Sequence, residues 1–280
     1  TVTAAMIKAG NGSYRKKAAD DSMADFFGSL FGEANNAPKI TQPSVSISLT
    51  GAGAKEVGES FTPSYSVAFN PGSYEFGPAT GISATYAVSD TASHTATTAT
   101  GSFDAFTVGD NTNYKVSVTA THTAGAQPKN NFGKETYNNG TADVAIPGKI
   151  AAGTKTASSA IVTGYRKPFW GSVVSKEGEP TSAVIRSLAG TKNGAIAAGN
   201  TGDAIEALNA YRVIIAVPAP RTISSIKDVN GLNAEAKSAF KETTVEVEGK
   251  DGYTAKTYNV YYKDNAEACN KENRWHFTVA

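Results

Sequence analysis

Over residues 40–148 apolar side chains recur at every second position, and that period leaves few folds open. SVSISLT (44–50) sets Val45, Ile47 and Leu49 against serines and a threonine. SFTPSYSVAF (60–69), ISATYAVS (82–89), FDAFTV (103–108), YKVSVTATHT (114–123) and TADVAIP (141–147) repeat the pattern, separated by GAG, NPGS, GD, AGAQPKNN and YNNG. A period of two marks a strand with one face buried. Small polar residues on one side and β-branched or aromatic residues on the other suit antiparallel strands with one wet face. Six or seven short strands in roughly 105 residues match an immunoglobulin-like sandwich, here without the Cys–Trp–Cys pattern, so that packing alone must hold it.

The second half continues in strands: TGYRKPFWGSVV (163–174), YRVIIAVP (211–218), RTISSIKDV (221–229), TTVEVEG (243–249), AKTYNVYYK (255–263) and RWHFTVA (274–280). VIIAV (213–217) is the most apolar and reads as the central strand, closed by Pro218. Two short helices are expected between them. TSAVIRSL (181–188) has a threonine cap after Pro180, and NAEAKSAF (233–240) has an Asn cap at 233. TASHTATTAT (91–100) reads as an exposed edge strand or a loop. The expected fold class is mainly β: an Ig-like antiparallel β-sandwich over 39–148, followed by a β-rich domain with one or two short helices over 149–280.

Residues 1–38 form a segment of their own. In DDSMADFFGSLFGE (20–33), Met23, Phe26, Phe27, Leu30 and Phe31 recur at helical spacing behind an Asp cap, although Gly28 and Gly32 weaken the helix. A short apolar helix with no body of its own wants a partner surface, either the chain's own second domain or a neighbouring subunit. ANNAPK (34–39) follows as a linker. The chain begins at Thr1 with neither a Met nor a signal peptide's n- and h-regions, so its start reads as processed, trimmed or internal to its gene.

Charge and cysteine content narrow the function classes. Twenty-six basic residues against 25 acidic ones give a net charge of +1, and RKK at 15–17 is the longest basic block. Binding to nucleic acid or a membrane surface through global charge is therefore not expected, and no apolar run approaches a membrane span. The single cysteine, Cys269, excludes an internal disulfide and a Cys-based metal cluster.

Titratable groups offer little chemistry. His94 and His122 lie in threonine-rich stretches, on what a strand would present as its outward face, and neither they nor His276 belong to a metal-ligand spacing. There is no nucleophile elbow, no SxxK set and no glycine-rich phosphate cradle. NGTA (139–142) and NGS (11–13) match the short glycosylation acceptor pattern, and GDNTN (109–113) lacks the spacing of a calcium loop. Glu246 and Glu248 share one strand face in VEVEGKD, but two carboxylates there are explained by an edge that discourages pairing. No catalytic residue, cofactor or metal site is assigned, and the chain reads as non-enzymatic.

Aromatic residues are the better lead. GYRKPFWGSV (164–173) places Tyr165, Phe169 and Trp170, with Arg166 and Lys167, inside ten residues of an otherwise small and weakly polar chain. A ligand platform, a buried joint between two halves and a docking surface all fit. The joint is favoured, with Phe169 and Trp170 buried and Arg166 and Lys167 keeping their charged ends in water. YNVYY (258–262) puts Tyr258 and Tyr262 on one strand face and Tyr261 on the other, as in a sheet covered on both sides. The interface or binding candidates are Phe26, Phe27, Phe31, Tyr165, Phe169, Trp170 and Tyr262. Were the aromatics exposed to sugar, Asn259, Asp264 and the loop QPKNNFG (127–133) could bond hydroxyls.

The succession GYRKPFWG, TSAVIRSL, YRVIIAVPAP and GKDGYTAKTYNVYY resembles segments of tailed-bacteriophage structural proteins, in particular appendage, fibre or tail-associated ones. SVSISLTGAGAKEVGESFTPSYSVAFNPGSYEFG is similar to the Ig-like segments that precede them. The likeness spans about residues 44–280 and is one of pattern, with no functional motif to carry over. It implies a multicopy virion component in an extracellular particle, a homo-oligomer bound to itself and to other virion proteins, without catalytic residues. A host-surface glycan-binding adhesin module is the alternative that the same features allow.

Overall fold

A computed structural model describes residues 7–8, 14–15, 37–77, 79–138, 142–206, 210–268 and 273–280. The expected helix over 20–33, with Phe26, Phe27 and Phe31, and Cys269 lie outside the described residues. Near the start, Ile7–Lys8 and Tyr14–Arg15 pair as antiparallel strands. With 48% strand against 5% helix, the chain is mainly β, as its period of two requires.

Two compact units divide the chain, and neither is a continuous stretch of it. The first holds residues up to 50, 64–102 and 115–159; the second holds 51–63, 103–114 and 160–280. Residues 149–159 thus pack with the first unit, while 51–63 and 103–114 pack with the second.

The first unit is a seven-stranded sandwich. One sheet runs Thr100–Ser102, Ser64–Asn70, Ser44–Leu49; the other runs Thr95–Ala96, Ala84–Asp90, Val116–His122, Gly153–Ser158. Numbered along the chain, these orders are 5-2-1 and 4-3-6-7, the Greek-key arrangement of an immunoglobulin-like domain. The 44–49 strand touches the 116–122 and 153–158 strands of the opposite sheet. Ile47, Leu49, Tyr65 and Val67 are buried on one side, and Val88, Val116, Val118 and Ala120 on the other. His122, expected on an outward face, is instead 5% exposed. It falls on the same face as Val116, Val118 and Ala120, and its Nδ1 lies 3.0 Å from the Thr123 carbonyl.

The second unit is built on a five-stranded antiparallel sheet in the order Gly190–Thr191, Phe169–Val173, Arg212–Pro218, Lys256–Asp264, Lys241–Val247. The 212–218 strand is central, as its continuous apolar run predicts, and is buried from Arg212 to Val217. Its odd-numbered residues Val213, Ile215 and Val217 pack on a second sheet of Thr201–Glu206, Asn273–Val279, Ile223–Asp228 and Ala234–Glu235, against Ala204, Ile226 and Phe277. Its even-numbered Ile214 and Ala216 pack with Phe169, Tyr258 and Val260 under Ile185 and Leu188. Ile185 belongs to the expected helix, Ser182–Arg186, whose cap is Thr181: its Oγ1 accepts from Val184 N at 3.4 Å.

No α-helix forms over 233–240. Asn233 takes a left-handed φ of 59°. Glu235 turns back to accept from Ser225 Oγ at 2.6 Å and Ile226 N at 3.0 Å. These bonds hold Ala234–Glu235 as a short strand, and only a 3₁₀ turn, Lys237–Ala239, follows.

In four of the five described sheets with three or more strands, one edge strand sets a glycine directly opposite an aromatic ring of its neighbour. The pairs are Gly101 with Tyr65, Gly153 with His122, Gly190 with Trp170 and Gly202 with Phe277. A Cβ on Gly190 or Gly202 would overlap the ring of Trp170 or Phe277. The ring therefore folds over the bare backbone and covers the edge that glycine leaves open.

Candidate functional site

The GYRKPFW residues lead to the densest cluster of buried charge in the second unit. Gly164 begins it: a Cβ there would overlap the carbonyl oxygen of Gly109. Gly58, at φ 97°, lies equally close to the Lys250 backbone. Glycine at these positions lets backbone cross backbone, and hydrogen bonds fix the crossing. Val57 N donates to Tyr165 O at 2.9 Å, Gly58 N to Val108 O at 2.8 Å, and Lys250 N to Val57 O at 2.8 Å. The strand Gly53–Glu56 runs parallel to Val162–Tyr165.

This crossing sets two carboxylates against the basic residues. Arg166 is 6% exposed and grips Asp110 with two bonds, Nε to Oδ1 at 2.8 Å and Nη2 to Oδ2 at 2.7 Å. Its Nη2 also donates to Thr254 O at 2.8 Å. Glu56, likewise 6% exposed, holds Lys167 Nζ and Arg186 Nη2, each at 2.9 Å. The expectation that Arg166 and Lys167 keep their charged ends in water is thus corrected: counter-charges from 51–63 and 103–114 bury one and pair both. Among the described buried side-chain nitrogens and oxygens, only Arg166 Nη1 has no hydrogen-bond partner.

The electrostatics follow from this geometry. Burial alone would raise the Glu56 pKa, but hydrogen bonds and charges from Lys167 and Arg186 outweigh it and hold the carboxyl below its ordinary value. Asp110 is held low by its hydrogen bonds from Arg166, against the opposing effect of burial. Burial pushes the Tyr258 hydroxyl up; it donates to Lys167 O at 2.8 Å. These shifts deepen each group's usual state at neutral pH, the opposite of what a general acid or base poised near pH 7 requires.

The described aromatic candidates, Tyr165, Phe169, Trp170 and Tyr262, are placed inside the second unit. Tyr165 is half-buried on the 162–165 strand. Phe169 is 4% exposed, with its ring 6.3 Å from that of Tyr258 and the Arg186 guanidinium 5.5 Å from its centre. Trp170 faces the other way and packs edge-on against Phe277 at 5.3 Å. Tyr262 is 6% exposed, and Arg212 lies 4.8 Å from the centre of its ring. That arginine binds both carboxylate oxygens of Asp264 and the carbonyls of Lys176 and Gly178. Asp264 is thus tied to a cation, and Asn259 donates to Arg221 O at 2.7 Å. Glu246 accepts from Thr257 Oγ1, and Glu248 falls just past its strand.

Glu56, Asp110 and Arg212 carry this chemistry without standing out in the sequence. GD reads as a turn between strands, AKEVGE shows no local pattern of its own, and Arg166 is expected from the sequence to keep its charged end in water. His94 lies against Asp90 at 2.8 Å and His276 against Asp203 at 3.0 Å. No group of three or more His, Cys, Asp or Glu side chains that could hold a metal occurs among the described residues. No helix among them is long and apolar enough to cross a membrane. Comparison with known proteins found no matching family model, no matching curated protein and no matching solved structure.

Proposed function

We propose that this chain is a non-enzymatic structural component of a tailed-phage virion, a fibre, tail or head appendage, which assembles through contacts with itself and with other virion proteins. The observation that carries this reading is how the chain uses its rarer side chains. Phe169, Trp170, Tyr258 and Tyr262 pack into sheets, and the most buried charges, Glu56, Arg166 and Arg212, are fixed by paired and backbone bonds. Such cross-bracing suits a rigid building block, and the sequence resemblance points to the particle in which it would serve. A sugar platform would instead present its aromatic faces to solvent.

Light scattering on the purified chain, with and without residues 1–38, tests the reading. A discrete oligomer that falls to monomer on truncation is the expected result. A monomer in both forms that binds surface polysaccharide would overturn it in favour of an adhesin module.

A further inference from the structure

The five-stranded sheet of the second unit ends on one side in the two-residue strand 190–191, over which Trp170 is laid. Its other side ends in the seven-residue strand Lys241–Val247, which has no glycine, proline or bulge. Hydrogen bonding shows which backbone groups of that strand are free. Ala219 N donates to Thr257 O at 3.0 Å, so Thr257 turns its backbone toward the 212–218 strand. Alternation then turns Tyr258, Val260 and Tyr262 toward 241–247, where their register partners Val245, Thr243 and Lys241 face back. Glu242, Thr244 and Glu246 are left with N–H and C=O groups on the outer side, and among the described residues none of these is paired. The next residue of that parity, Glu248, confirms the direction: its N–H reaches Ser182 Oγ at 3.0 Å and its carbonyl accepts from Arg186 at 2.9 Å. The helix therefore closes the edge at 248 and leaves it open from 242 to 246.

The side chains of Glu242, Thr244 and Glu246 share one exposed face, and Glu242, Thr243, Thr244, Asn259 and Tyr261 line a shallow groove of about 360 Å³ beside it. Glu242 meets Lys237 at 3.4 Å, whereas Glu246 has no cation within ion-pairing distance among the described residues. A second copy of the strand fits poorly. The two-fold register that pairs its full length sets Glu242 opposite Glu246 at both ends, and like charges directly opposite are destabilising.

We propose that the 241–247 edge is a strand-addition site for an extended basic segment of another protein. Lys or Arg at alternate positions would meet Glu242 and Glu246, and β-branched residues between them would lie against Thr243 and Val245. The site deepens the assembly reading and rests on it for the kind of partner.

The probe is a labelled, end-capped peptide, Lys-Val-Lys-Thr-Lys-Val-Lys, titrated into the full chain and followed by anisotropy and amide hydrogen exchange, with the Glu-for-Lys peptide as control. Saturable binding that weakens with salt is expected, with slowed exchange at Glu242, Thr244 and Glu246. Thr244→Pro removes an outward N–H, leaves the inward ladder intact and should abolish binding. Exposed on the surface, Glu242→Lys with Glu246→Lys should fold and shift preference to the acidic peptide by about tenfold. Absence of saturable binding, unchanged exchange at those three amides, or undiminished binding in both variants would overturn the site. Should the edge fail to bind while the oligomer forms, the site falls and the assembly reading stands. A monomer that still captures the peptide at this edge keeps the site and removes the assembly reading.

Discussion

Asp110 matters to stability because its partner cannot return to water. Arg166 is buried, so Asp110→Asn would leave a guanidinium charge in the fold with no counter-ion, a loss of about 3 kcal/mol. Urea denaturation at pH 7 measures this. The same carboxylates predict the response to acid. Glu56 and Asp110 have folded pKa values below their unfolded ones. Their stabilisation is thus fully present above the unfolded carboxylate range and lost as pH falls through the depressed folded values. Stability should be flat on this account from neutrality down to about pH 5 and decline steeply below about pH 4. Thermal melts across that range check it, and Asp110→Asn should show a shallower decline than the native chain. Trp170→Ala, by contrast, removes a ring from a core contact and should cost about 3 kcal/mol with no such pH dependence.

At the level of strands, the glycine–aromatic pairs give a sharper prediction than the large core residues. Phe277 is fully buried over Gly202, so a methyl group at 202 must displace a ring that has nowhere to go. Gly202→Ala should destabilise by about 1–3 kcal/mol, although alanine normally favours folding over glycine; chemical denaturation decides the sign. These pairs also explain which strands were legible in the sequence. Where a strand is buried on one or both faces, as at 44–49, 116–122 and 212–218, its period or its apolar run announces it. The edge strands GTKTAS (153–158) and TGDAIE (201–206) bury little side chain of their own and borrow a ring from the neighbour, so no period marks them. GAKE (53–56) is held by a parallel partner more than a hundred residues away, which no local pattern records. NAEAKSAF failed for a related reason: its helix-forming composition was overridden by the Glu235 carboxylate reaching across to the 223–228 strand.

For the molecule as a whole, the consequence lies in how the units are threaded. Two segments, 51–63 and 103–114, leave the first unit's strands to join the second, and they carry Glu56 and Asp110. A fragment of residues 149–280 would contain Arg166, Lys167 and Arg186 but neither carboxylate. It should be largely unfolded by circular dichroism, whereas residues 39–280 should give a cooperative melt. The candidate site could not be read from either half for the same reason, since its charges come from segments 56 to 130 residues apart in the chain. The chain's 2 tryptophans, Trp170 and Trp275, sit in or against a single core of the second unit. The first unit holds none. Selectively excited indole emission therefore watches one sandwich and is blind to the other, a built-in optical label that reports when the second unit opens.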